Sequence, residues 1–169
     1  MKTLATFALF AALVSVPAKA QKLDLNFNAV AKNATDKTEI SLEGPMLEMV
    51  KQTVLKNLTT EQMALFGSVQ QIGLHNYEFA KSGDYSDSDL ASLRKQLTSS
   101  PGWSRVLNSK DKNENTEIYV LTEGDKANGV VLISAAAKEL TVIHIVGSIQ
   151  LAKLQELVNS TLQFKDLAQ

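Results

Sequence analysis

Cysteine is absent from this chain of 169 residues, and its absence excludes several kinds of site. The chain can form no disulfide, use no thiol as a nucleophile, bind no metal through thiolates and carry no lipid on an N-terminal cysteine. Its stability must therefore come from the burial of apolar side chains, which a domain of this size can supply.

An excess of charge of either sign is also missing. The full chain carries 17 basic and 18 acidic residues, which gives a formal net charge of −1. The charges are interspersed, with neither a basic stripe nor a polybasic cluster. Nucleic acid is therefore not an expected partner, because its phosphates are bound by clustered Lys and Arg, and the sequence offers no polybasic attachment to a membrane.

A long apolar run is lacking too, because the apolar stretch from Leu4 to Val16 is too short to span a bilayer as a stable anchor. It follows the positive charge of Lys2 and is broken by Pro17. The triplet Ala-Lys-Ala at 18–20 then gives the small-x-small pattern that a signal peptidase accepts. We predict a cleaved signal peptide over residues 1–20.

The mature chain, residues 21–169, has a length that suits a single domain. Removal of Lys2 and Lys19 lowers the number of basic residues from 17 to 15 against 18 acidic ones, so the net charge becomes −3. We expect an exported protein with no stable membrane anchor after signal cleavage. The periplasm is the first expected location and the external medium is the second.

Periodicity and turn signals predict one α+β domain built on a single, mainly antiparallel sheet, with helices packed on one face. The predicted order is α-β-α-α-β-α-β-β-β-β-α. Helices are predicted near 26–34, from Gly44-Pro45 onward, from Thr59 to Gly67, from Ser86 to Pro101, and from about 149. Strands are predicted at 37–43, 69–80, 103–109, 116–122, 129–136 and 139–147, of which the last four form a meander because short polar turns join them.

The helix that begins after Ser86 has the clearest local signal. Ser86 and Asp89 have the spacing of a capping box, and acidic residues at the start precede basic residues towards the end, as the helix dipole favours. The residues predicted to face the core share helical spacing; they are Leu90, Leu93 and Leu97.

The strand at 69–80 changes the phase of its alternation. Ile72 and Leu74 share one parity, whereas Tyr77 and Phe79 share the other. A β-bulge near His75 would place all four side chains on one face, and we predict one there.

His144 and His75 are the two histidines of the chain and its candidate catalytic or metal-binding residues. Glu78 and Glu139 are the candidate acidic partners, by proximity in sequence. The sequence contains neither an H-E-x-x-H zinc motif nor a G-x-S-x-G nucleophile elbow. The alternative for His144, which the absence of these motifs favours, is a polar side chain that finds a hydrogen-bond partner within a sheet, or one at a surface position on the less buried face.

Two further patterns suggest ligands but fit structural roles better. Gly147, between a predicted strand and a predicted helix, could form a phosphate-binding turn, yet the sequence has no G-x-G-x-x-G or P-loop motif. Asp84, Asp87 and Asp89 could suggest calcium, but no register supplies the glycine and glutamate of an EF-hand loop. We therefore predict no cofactor and no metal.

Several segments together resemble one family. They are "ISLEGPML", "YEFAKSGDYSDSDLASLRKQL", "PGWSRV", "EIYV", "GVVLISAAAKELTVIHIVGSI" and "LAKLQEL". In their order and spacing the chain resembles, over residues 22–158, the exported bacterial family catalogued as domain of unknown function 4252. The resemblance implies export and supplies no catalytic residues to carry over. The chain departs from the family at His144, where the family pattern often has asparagine, and this weakens an acid–base role for that histidine.

Two functions remain open from the sequence. The first is a non-enzymatic binding or interaction module of the bacterial cell envelope, with an envelope protein as partner; it depends on the export signal and on the lack of a complete catalytic motif. The alternative is a small exported hydrolase that uses His144 or His75 with an acidic partner. The alternative requires the imidazoles and Glu78 or Glu139 to share one cleft.

Overall fold

The computed structural model describes residues 25–54, 67–150 and 153. The predicted signal peptide lies outside these residues. So do the helix predicted from Thr59, apart from Gly67, and most of the helix predicted from about residue 149.

Three helices and six strands make up the described part of the chain. The helices are α1 (Asn28–Ala31), α2 (Gly44–Val54) and α3 (Asp87–Thr98). The strands are β1 (Asp36–Glu43), β2 (Val69–Glu78), β3 (Trp103–Lys110), β4 (Glu114–Glu123), β5 (Lys126–Ala136) and β6 (Glu139–Gln150). None of the described helices is long and apolar enough to cross a membrane.

The six strands form one antiparallel sheet in the order β1-β2-β6-β5-β4-β3. The last four strands are the predicted meander, each paired with the next along the chain. The sheet then continues by pairing β6 with β2, which is far earlier in sequence. The α+β class with a single antiparallel sheet and a C-terminal meander is thus confirmed.

Apolar side chains are buried on both faces of the sheet. The face that we call the α3 face packs against α1 and α3; its buried cluster comprises Leu25, Val30, Tyr77, Phe79, Leu90, Leu93, Leu97, Tyr119, Val131, Ile133, Leu140 and Val142. The opposite face, which we call the α2 face, includes Leu47 of α2; its cluster comprises Leu47, Val69, Ile118, Val120, Ala127, Val130, Leu132, Ile143, Ile145 and Ile149. The expectation that all helices pack on one face is therefore wrong.

The prediction of a bulge near His75 is also wrong, because apolar side chains are buried on both faces of the sheet. The pairing of β2 with β6 is regular from Gln71 to Glu78, and its irregularity lies between Val69 and Gln71. Tyr77 belongs to the cluster of the α3 face, and Leu74 packs on that of the α2 face. Because both faces are covered, apolar residues of both parities are buried without a bulge.

α3 begins as its sequence predicts. The backbone N–H of Ser86 donates to Asp89 Oδ2 at 2.8 Å, and the Ser86 hydroxyl donates to the same oxygen at 2.6 Å. These hydrogen bonds lower the pKa of Asp89. The predicted inward residues of α3 are all buried; they are Leu90, Leu93 and Leu97.

β6 was predicted to end at Gly147, but it continues to Gln150. Gly147 is needed for a close approach rather than a turn. A Cβ atom added to it would lie 2.4 Å from the carbonyl oxygen of Ser68 and 2.8 Å from the Cα of Val69. Ile149, which falls at the start of the helix predicted from about 149, is instead buried in the strand on the α2 face.

Candidate functional site

The two histidines, distant in sequence, lie side by side on the α3 face. His75 is on β2 and His144 is on the neighbouring β6, opposite Gly73. Their ring centroids are 5.8 Å apart and their planes are inclined by 23°. The tertiary fold therefore brings together the two residues that the sequence singled out.

Gly73 makes room for the imidazole of His144. A Cβ atom on Gly73 would lie 2.0 Å from Cε1 of the His144 ring, so the ring lies directly over the β2 backbone. Gly73 lies within a strand, where glycine lacks a side chain to pack and often marks a close approach of another group. The sequence alone did not reveal this role of Gly73, because the role depends on the pairing of β2 with β6.

His144 is buried, with 7% of its surface exposed. Neither Nδ1 nor Nε2 has a hydrogen-bond partner among the described residues. Burial, and to a smaller extent the neighbouring His75, lowers the pKa of His144 to about 4. The imidazole is therefore neutral at pH 7, and its low basicity makes it a poor general base.

His75 is more open and has polar as well as aromatic neighbours. Phe27 stacks on its ring with centroids 4.2 Å apart. Nδ1 lies 3.9 Å from Oε1 of Glu39, which accepts a 3.0 Å hydrogen bond from the hydroxyl of Tyr77. Burial lowers the pKa of His75, although Glu39 acts in the opposite direction. Burial and the contact with Glu39 raise the pKa of Tyr77.

The acids predicted to serve the histidines do not reach them. Glu78 and Glu139 pair with each other at the ends of β2 and β6. By the alternation of the strands they lie on the α2 face, whereas both imidazoles lie on the α3 face. The acid beside His75 is instead Glu39, which sequence reasoning missed because only the register of β1 on β2 reveals it.

The acidic residues near the start of α3 have structural partners. Asp84 Oδ2 accepts a hydrogen bond from the backbone N–H of Lys81, and Asp87 pairs with Arg94 at 2.8 Å. Asp89 caps the helix through Ser86. In the part of the chain that the structure describes, no three His, Asp or Glu side chains converge as a metal would require.

Glu117, on β4, is a buried carboxylate that the sequence did not single out. It accepts hydrogen bonds from Nε and Nη2 of Arg94 at 2.8 and 2.6 Å, and from the hydroxyl of Tyr119 at 2.7 Å. Burial on its own would raise the pKa of Glu117, but the donors from Arg94 and Tyr119 outweigh it and lower that pKa. Because the carboxylate is surrounded by donors, the cluster fixes α3 on the sheet rather than offering a free base.

The two outer strands are the most exposed elements of the sheet. Seven of the eight residues are exposed in β1 and seven of eight in β3. β1 pairs with β2 in one continuous register, whereas β3 has an irregularity between Arg105 and Leu107. Large apolar side chains lie on or beside these edges with 42–56% of their surface exposed; they are Ile40, Met46, Met49, Val106 and Leu107.

The two edges also differ in charge. The sequence of β1, DKTEISLE, has three acidic residues and one basic residue. The sequence of β3, WSRVLNSK, has two basic residues and no acidic one. On the α3 face this contrast places Lys37, Glu39 and Glu43 at one edge and Arg105 and Lys110 at the other, where Nη1 of Arg105 also lies 3.5 Å from Oε2 of Glu117.

The comparisons with known proteins identify a family and no characterised relative. A family model described as "Domain of unknown function (DUF4252)" matches residues 30–157, which confirms the resemblance seen in the sequence. No curated protein and no solved structure matches the chain.

Proposed function

We propose that this chain, which belongs to the DUF4252 family, is a non-enzymatic binding module that accepts an extended segment of a partner protein on the free edge of β1. One observation carries the proposal. Within the described part of the chain, β1 is a regular strand of eight residues that lies at the end of the strand order and is almost wholly exposed.

An exposed edge strand presents unpaired backbone N–H and C=O groups, so an added strand gains main-chain hydrogen bonds and its alternate side chains give specificity. Here one side of the added strand would meet Ile40 and Leu42. The other side would meet Lys37, Glu39 and Ser41. The edge therefore has an apolar side and a charged side with which to select a partner.

β1 lacks two of the features with which proteins commonly protect a sheet edge, a bulge and a proline, although four of its eight residues are charged. Its pairing with β2 is continuous from Asp36 to Glu43, without a bulge. Its sequence contains no proline and a single lysine, Lys37. These protections keep exposed edges from pairing with other chains, so an edge without them supports a role in binding.

The predicted signal peptide at 1–20 supports an exported location for this binding, with the periplasm first and the external medium second. The partner would then be a protein of the bacterial cell envelope. The mature chain, with its interspersed charges and net charge of −3, does not favour nucleic acid.

The hydrolase alternative loses its support from the geometry. It required His144 or His75 to share a cleft with Glu78 or Glu139, but these acids and the imidazoles lie on opposite faces of the sheet. His75 does have Glu39 nearby, yet His144 is buried and has no hydrogen-bonded acid or nucleophile among the described residues.

In-cell photocrosslinking tests the proposal. A photoreactive residue would replace Ser41 on β1 in one strain and the exposed Ala91 on α3 in a control strain. We expect adducts of defined mass from position 41 and none from position 91, and mass spectrometry would identify the partner. Ile40→Glu, which places a charge on the apolar side of the edge, should lower the adduct yield severalfold. Equal adducts from positions 41 and 91, or none from position 41, would count against binding at β1.

A further inference from the structure

We infer that the segment which fits the free edge of β1 is β3 of a second copy of this chain. The inference rests on the proposed function, since it assigns an occupant to the same edge. Two copies would then join head to tail, with the β1 edge of one beside the β3 edge of the other, and the two sheets would form one continuous sheet.

Strand direction permits this arrangement. Every neighbouring pair in the order β1-β2-β6-β5-β4-β3 is antiparallel, so β1 and β3 of one chain run in opposite directions. A second copy placed beside the first in the same orientation therefore continues the alternation. The α3 faces of both copies then lie on the same side of the extended sheet.

Charge favours this pairing over the two symmetrical ones. Pairing β1 with β1 would join two strands of net charge −2, in which only Lys37 offsets the acidic residues, and pairing β3 with β3 would join two strands of net charge +2 from Arg105 and Lys110. Like charges directly opposite each other destabilise a strand pair, and opposite charges stabilise it. Only the pairing of β1 with β3 joins an acidic edge to a basic edge.

One register satisfies the charges and the apolar side chains together. With Leu107 opposite Leu42, an antiparallel pairing sets Lys110 opposite Glu39. The bulge in β3, which adds one residue between Arg105 and Leu107, then sets Arg105 opposite Glu43. Both leucines lie on the α2 face, and all four charged residues lie on the α3 face. The bulge of β3 thus places Arg105, the second basic residue of the strand, opposite Glu43.

The absence of cysteine makes the register directly testable by disulfide formation. In this register Ser41 lies opposite Asn108, and both residues are exposed. Opposed Cα atoms in antiparallel strands are about 4.5–5.5 Å apart, which a disulfide can bridge. Within one chain the two edges are five strand spacings, or about 24 Å, apart, so any such disulfide must join two molecules.

The experiment mixes purified Ser41→Cys with Asn108→Cys under mild oxidation and measures the mixed dimer by non-reducing electrophoresis and mass spectrometry. The control replaces Asn108→Cys with Ser109→Cys, which lies next in the strand and points to the other face. We expect the 41–108 mixed dimer to exceed the 41–109 dimer by about tenfold or more, and to decrease as salt screens the charge pairs.

A charge exchange tests the seam independently. Glu39→Lys in the Ser41→Cys chain, or Lys110→Glu in the Asn108→Cys chain, should each lower the mixed-dimer yield by about threefold or more. Combining the two changed chains should restore it. Thermal melting of each variant before mixing would show that the loss is not caused by unfolding.

The outcomes separate this inference from the proposed function. Equal yields for positions 108 and 109, or no recovery on charge exchange, would overturn the assignment of β3 as the occupant. If position 41 nevertheless gives an adduct to another protein in cells, the binding module stands and its occupant is that protein. If neither purified chains nor cells give an adduct at β1, both proposals fail.

Discussion

At the scale of single residues, His144 and Gly73 depend on each other. The imidazole occupies the space that a side chain at position 73 would fill, and it is buried there in a neutral form. The sequence favoured a structural role for His144, with a hydrogen-bond partner or a surface position, but the ring is buried and neither nitrogen has a hydrogen-bond partner among the described residues. The sequence could not show why a polar ring fits at this position. The ring fits because the residue opposite it on the neighbouring strand, Gly73, has no side chain.

Gly73→Ala should therefore destabilise the fold by about 1–3 kcal/mol, the usual cost of overpacking a core. The added Cβ would lie 2.0 Å from Cε1 of His144, and the buried ring has little room to move. Urea denaturation would measure the loss. Gly67→Ala is the control, because its Cβ would meet no atom within 4 Å. If Gly73→Ala/His144→Ala loses as much as the sum of its single changes, the two residues are not coupled.

The pKa of His144 predicts a dependence of stability on pH. The unfolded chain binds a proton near the ordinary pKa of 6.5, whereas the folded chain does so only near 4. Between these values the unfolded state holds more protons, so the contribution of His144 to the free energy of unfolding should be constant above about pH 6.5 and fall as the pH drops towards 4. The decrease would be on the order of 3 kcal/mol.

Urea denaturation at a series of pH values from 7.5 to 4 would measure this dependence in the unchanged chain and in His144→Asn. Asparagine does not titrate, so the variant should have a flatter profile in this pH window. His75→Asn should flatten it as well, since burial also lowers the pKa of His75. Profiles of equal slope in the unchanged chain and in His144→Asn would show that His144 titrates normally.

At the scale of elements, α3 shows how a locally encoded helix is fixed by a distant partner. Its cap and its three leucines are evident from sequence, and the structure bears out both. Its position on the sheet depends in addition on Arg94, which is bonded to Glu117 on β4 and to Asp87 at the start of the helix. The helical pattern gives no sign of this contact, because Glu117 lies on a different element.

Arg94→Met should destabilise the protein by about 3–5 kcal/mol, because it leaves the buried Glu117 carboxylate without its main cation. Arg94→Met/Glu117→Met should lose less than Arg94→Met alone, since it removes the isolated charge as well. Chemical denaturation of both variants would measure the difference. A double variant that is less stable than Arg94→Met would contradict this account.

At the scale of the whole molecule, the sheet is most buried at its centre and open at both edges. β5 and β6 have long runs of buried residues, whereas β1 and β3 are almost entirely exposed. A single sheet with these edges has a stable centre and two surfaces for strand pairing. The proposed binding at β1 is a property of this arrangement rather than of any one residue.

Hydrogen exchange measured in dilute protein should follow the same gradient. Amides of β5 and β6 should exchange most slowly and those of β1 and β3 fastest among the strands. Raising the protein concentration should slow exchange in β1 and β3 together while leaving β5 unchanged, if copies pair through these edges. Equally slow exchange in β1 and β6 in dilute protein would contradict an open β1 edge.

Features that depend on neighbours along the chain could be predicted from the residue pattern. Alternation and polar turns gave the meander from Trp103 onward, and the Ser86 cap gave the start of α3. The residue pattern also gave the family, which the match over 30–157 confirms. These features depend on contacts a few residues apart, which local patterns record.

Features that depend on pairing between distant segments could not be predicted and became evident only from the strand order of the sheet. The placement of β2 beside β6 brought the two histidines together and turned Glu78 and Glu139 away from them. Pairing of β1 with β2 brought Glu39 to His75. Burial of both sheet faces removed the need for a bulge, and β6 continues through Gly147, where the backbone of Ser68 lies close. The physical reason is that alternation fixes which side chains share a face of one strand, but not which strand lies next to it.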